Sequence, residues 1–95
     1  MNQYEVLYVI TPELDEEADK VVMDKFADII TANGGEIEKT EVWGKRRLAY
    51  PINDLVEGYY VYMTCETRPD MPAELDRVFK ITEGIMRSMI ICKDE

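Results

Sequence analysis

The chain has 95 residues, 46% of them hydrophobic and 33% charged, and its 20 acids against 11 bases leave a formal charge of −9. That length holds one domain with one modest core, taken as residues 1–95 with a frayed tail at 93–95. No apolar run approaches the roughly 18 residues needed to cross a bilayer, and the acidic balance opposes unaided nucleic-acid binding, which draws on cations that displace counterions.

Residues 3–10, QYEVLYVI, are β-branched and aromatic and stop at Thr11-Pro12, which predicts a first strand. Its opening lacks a basic leader and a cleavage site, so no secretory signal is expected and the cytoplasm is the expected location. Tyr4, Val6, Tyr8 and Ile10 share one face of this strand; Glu5, Leu7 and Val9 share the other. Over 14–33, Val22, Phe26, Ile29 and Ile30 form a helical stripe, with Asp15, Glu16 and Glu17 at the positive end of the helix dipole. Asn33-Gly34-Gly35 stops that helix.

An extended pattern resumes over 36–52 through Ile37, Val42, Leu48, Tyr50 and Ile52, and Pro51 confines that strand to an edge or marks its end. Asn53-Asp54 begins a turn that Gly58 closes, and 58–66, GYYVYMTCE, is a third strand paired with the second as an antiparallel hairpin. Pro72 opens a second helix carrying Leu75, Val78 and Phe79, Gly84 ends it, and 85–92, IMRSMIIC, is the last strand. Cys65 and Cys92 sit in apolar strands as reduced small hydrophobes.

Strand, helix, strand, strand, helix, strand predicts an α+β, ferredoxin-like βαββαβ fold: a four-stranded antiparallel sheet with both helices on one face. The uncovered face then displays Leu7, Val9, Tyr60, Tyr62, Met89 and Ile91 with Arg87 among them, an apolar patch of the kind that marks a contact surface. A one-residue register error would scatter it.

Enzyme chemistry finds little support. Histidine is absent, the single serine is Ser88, and no phosphate-binding or dinucleotide-binding glycine pattern occurs. Glu13, Asp15, Glu16 and Glu17 lack calcium-loop spacing and read as a solvated helix start. No cofactor, metal or small-molecule substrate is expected. Lys45-Arg46-Arg47 is the local exception to the acidic composition: either a phosphate contact or a solvated edge strand. Consecutive strand residues alternate faces, so all three share a side only if the chain bulges or turns, which Gly44 permits.

The block from Gly44 to Ile52, GKRRLAYPI, closely resembles the signature of the family of the sixth protein of the bacterial small ribosomal subunit. Tyr4-Glu5-Val6, Gly58-Tyr59-Tyr60, Lys80-Ile81 and Ile85-Met86-Arg87 resemble that family's other characteristic segments, and the resemblance covers essentially the whole chain. It implies a non-catalytic role: binding small-subunit ribosomal RNA in the platform, as a heterodimer with the basic eighteenth small-subunit protein, which would offset the acidic charge. On that resemblance Lys45, Arg46, Arg47 and Arg87 are the expected RNA-binding residues, and Leu7, Val9, Tyr60, Tyr62, Met89 and Ile91 the expected partner face. The chain departs from the family where basic residues are common, with Asn2-Gln3 near the start and Thr82, Glu83, Gly84 and Ser88 near the end, so RNA contact should lean on the partner.

The competing reading is a free-standing single-strand RNA binder of the recognition-motif type, stacking bases on Tyr4, Tyr60 or Tyr62. An acylphosphatase-type enzyme would need an arginine in the loop that here reads Thr11-Pro12-Glu13. A ligand-sensing regulatory module would come attached to a second domain.

Overall fold

The computed structural model describes residues 2–49 and 55–93. The elements are β1 (Asn2–Ile10), α1 (Glu16–Ala32), β2 (Glu36–Ala49), β3 (Leu55–Thr67), α2 (Met71–Ile81) and β4 (Ile85–Cys92). All strand pairs are antiparallel, in the order β2-β3-β1-β4, so β2 is an edge strand as expected. Tyr50, Pro51, Ile52 and the Asn53-Asp54 turn lie outside the described residues. No described helix is long and apolar enough to cross a membrane.

Local chemistry sets the helix ends. Asp15 caps α1 by accepting the Ala18 N–H at 2.8 Å. At the other end Gly34 takes φ +84°, which lets its N–H reach the Thr31 carbonyl at 3.1 Å while Gly35 N–H reaches that of Ile30 at 2.9 Å. These crossed bonds are the glycine-terminated stop expected from Asn33-Gly34-Gly35. Pro72 sits in the first turn of α2, where its missing N–H costs nothing.

Both helices bury their apolar stripes on one side of the sheet. Phe26 and Phe79 meet there with ring centroids 4.2 Å apart, and Tyr8 joins them at 5.4 and 5.2 Å. Val6, Ile10, Val61, Met63 and Cys65 complete this core. Burial pushes the Tyr8 phenol well above its usual range and the Cys65 thiol up to about 11, so Cys65 stays a neutral thiol, consistent with its reading as a small hydrophobe.

Three expectations need correction. β3 begins at Leu55, and Gly58 lies inside it opposite Arg46 instead of closing a turn. Gly58 is required there by close packing: a Cβ would stand 2.5 Å from Val9 Cγ1 and 2.8 Å from the Ile10 carbonyl oxygen. Lys93, expected to fray, donates its N–H to the Gln3 carbonyl at 2.8 Å and extends the β1–β4 pairing. Val9 and Tyr60, expected on display, are 0% and 1% exposed.

Candidate functional site

The register of the open face is the predicted one. Leu7 pairs with Tyr62 and Met89, Val9 with Tyr60 and Arg87, and Glu5 with Thr64 and Ile91. Burial on that face differs from expectation because a small second core has formed there. Val9, Val56 and Tyr60 are its centre, and Leu7, Trp43 and Leu48 pack around it. The Tyr60 hydroxyl donates to the Val56 carbonyl at 2.5 Å, satisfying its polar end.

Trp43 is the residue that sequence reasoning missed. The β2–β3 pairing slips between Val42 and Gly44, leaving Trp43 without a partner of its own. Gly44 has φ +78°, a conformation that glycine adopts without strain, and Arg46 Nε donates to the Trp43 carbonyl at 2.7 Å across the bulge. The indole lies nearly parallel to Tyr62 and Tyr60, tilted by 16° and 17°, with centroids 5.7 and 6.5 Å away. Two residues on from Glu41, Trp43 shares its face by ordinary alternation, in a phase set by an earlier slip of the pairing between Ile37 and Lys39; the slip at Trp43 then re-phases the remainder of β2, so that Arg46 and Leu48 join that face. The glycine after it was the available signal.

The same bulge decides the fate of the cation triplet. It precedes Lys45, so the three still alternate: Lys45 opposite Tyr59 and Arg47 opposite Glu57 point to the helix side, and Arg46 opposite Gly58 to the open side. They nevertheless converge around the exposed β2 edge, lining one cleft of about 300 Å³ with Pro12, Glu57 and Gly58. Arg87 stands apart on β4, across β1 and β3, roughly 14 Å from β2 at the sheet's strand spacing. Arg46 and Arg87 share the end of the open face where β1 finishes.

Carboxylates gather at the opposite end. Glu36 and Glu66 are directly paired across β2 and β3, and Glu5 and Glu41 flank Tyr62. The Tyr62 hydroxyl donates to Glu5 Oε1 at 2.9 Å; burial, then that bond, raise its phenol pKa. The open face is thus polarised: Arg46 and Arg87 at one end, and at the other four acids that outnumber Lys39, which pairs with Glu41 at 3.6 Å, with aromatic and aliphatic side chains between. Leu7, Tyr62 and Met89 are half-buried and Ile91 is exposed, forming the accessible part of the predicted partner face; Val9 and Tyr60 support it from below.

The same geometry withdraws two of the three aromatics of the competing reading and leaves Tyr62, half-buried and stacked with Trp43, on the open face. Tyr4 is buried against the helices and Tyr60 lies beneath Trp43. Among the described residues no cluster of three acids or cysteines is arranged to hold a metal ion.

Comparison with known proteins places this geometry. The model of the family described as ribosomal protein S6 matches residues 3–92. The small ribosomal subunit protein bS6 of Exiguobacterium sibiricum is 52% identical over 95 residues, covering 100% of this chain and 99% of that protein. Its counterpart from Desulforudis audaxviator is 50% identical over 94 residues, covering 99% and 100%. The crystal structure of 30S ribosomal protein S6 from Thermotoga maritima superposes with a TM-score of 0.84 at 27% identity, covering 97% of this chain and 87% of that one.

Proposed function

Because this chain belongs to the ribosomal protein S6 family, whose matched members are named as proteins of the small ribosomal subunit, we propose that it is a non-catalytic scaffold of that subunit, on the ribosome in the cytoplasm. In this reading it binds small-subunit ribosomal RNA as a heterodimer with the basic eighteenth small-subunit protein. The observation that carries the reading is the polarised open face. Lys45, Arg46, Arg47 and Arg87 contact phosphate at the cationic end and along the β2 edge. The patch of Leu7, Tyr62, Met89, Ile91 and Trp43, resting on Val9 and Tyr60, receives the partner, whose cations are met by Glu5, Glu36, Glu41 and Glu66. A chain of charge −9 pays electrostatically to approach RNA alone, and a basic partner removes that penalty.

The test is binding of a platform fragment of the small-subunit RNA by the chain alone and mixed with the eighteenth protein. Tight binding is expected only in the mixture, weakened by Arg46→Ala and Arg47→Ala. The chain's own contribution to the salt slope should be shallow, on the order of two to four neutralised phosphates. Equally tight binding without the partner, or indifference to both substitutions, would contradict the reading.

A further inference from the structure

Beside the bulge at Trp43, a hollow lies on the helix side of β2. Leu14, Asp15, Glu16, Asp19, Gly44, Lys45 and Tyr59 line this cavity of about 530 Å³, large enough for a long side chain. Helix capping explains only part of its acidity. Asp15 is the cap, and Glu16 suits the helix dipole. Asp19 does neither: it is 2% exposed, and its Oδ1 is covered without a hydrogen-bond partner. Leaving a carboxylate oxygen in that state is costly. Lys45, the cation in the same cavity, attracts Asp19 but forms no ion pair with it within 4 Å. The lining therefore sets three carboxylates against one ammonium, with Leu14 and Tyr59 as apolar walls.

We propose that this cavity is a receptor for a guanidinium group, the arginine side chain of a basic polypeptide, with Asp19 as its anchor and Asp15 and Glu16 at its rim. Guanidinium fits better than ammonium because it is planar, weakly hydrated, able to fork onto carboxylates and to stack on an aromatic ring. Asp19 is part of the lining, and a guanidinium N–H would supply the hydrogen-bond donor that its Oδ1 lacks. The site is separate from the open face and does not depend on the function proposed for that face.

The experiment is a titration of the full isotope-labelled chain with N-acetyl-arginine-amide, monitored by backbone amide NMR shifts. The uncharged citrulline analogue and sodium chloride at matched ionic strength serve as controls. Saturating shifts confined to residues 14–19, 44–45 and 59 are expected, with a dissociation constant on the order of 1 mM. Asp19→Asn should weaken binding roughly tenfold, Glu16→Gln by less, and Lys45→Gln should strengthen it about two- to fivefold by removing the resident cation. Equal shifts with citrulline or salt, shifts spread over all the acids, or binding unchanged in both Asp19→Asn and Glu16→Gln would overturn the proposal. Failure here would leave RNA and partner binding at the open face untouched, so the two readings fail separately.

Discussion

The two sides of this sheet close their apolar surfaces by different means. On the helix side, two amphipathic helices bring Phe26 and Phe79 down onto Tyr8, and the aliphatic residues around them are sealed. On the open side no described element covers the strands. One bulged residue of the edge strand, Trp43, folds over Tyr60 and Tyr62, and the rim of Leu7, Tyr62 and Met89 stays half-buried. The first arrangement supplies stability in the isolated chain. The second leaves apolar area open, bordered by charges of opposite sign that would orient a partner docking there.

Substitutions should separate these roles. Phe26→Ala empties the centre of the helix side and should cost about 3–5 kcal/mol in chemical denaturation, the largest of these effects, with little change in partner affinity where the variant remains folded. A loss confined to partner binding would break the contrast. Gly58→Ala should cost about 1–3 kcal/mol, because the new Cβ would stand 2.5 Å from Val9 Cγ1 and must displace the floor of the open-face core. Unchanged stability would mean that Val9 is not held there.

The smallest expected effect on stability concerns Asp19. Burial holds its carboxyl above the ordinary value, Lys45 opposes this, and Asp15 and Glu16 add to the rise. A raised folded-state value means that the native chain holds the extra proton. Stability contributed by protonated Asp19 is full below the unfolded value, near 3.9, and is lost as pH rises through the folded value. Asp19→Asn should therefore raise the melting temperature modestly at pH 7 and bring no gain at pH 3. A lower melting temperature at pH 7 would show that the charged carboxylate is satisfied.

Much of this layout could be read from the sequence, and the parts that could not share a common cause. Period-two alternation placed Leu7, Tyr62, Met89, Ile91 and Arg87 on one face because β1, β3 and most of β4 run without interruption. The helix stripes and the Asn33-Gly34-Gly35 stop were equally legible, since each is a local pattern. Trp43 was not, because the pairing of β2 slips between Ile37 and Lys39 and again between Val42 and Gly44, so alternation counted from Ile37 puts Trp43 on the wrong face, and Gly44 announced only that a bulge was permitted. Gly58 misled in the opposite direction: a glycine demanded by the approach of Val9 looks, in sequence, like turn punctuation. The burial of Val9 and Tyr60 arises from those two features together, and no pattern within β1 or β3 alone encodes it.

The most direct test of the division of labour crosses two substitutions with two readouts: affinity for the eighteenth small-subunit protein, and salt dependence of RNA binding by the resulting heterodimer. Trp43→Ala should lower partner affinity while leaving the salt slope of any heterodimer that forms unchanged. Arg46→Ala should leave partner affinity intact and reduce the salt slope by about one. If Arg46→Ala instead weakens the partner and spares the slope, or Trp43→Ala affects neither readout, the open face is not divided as described.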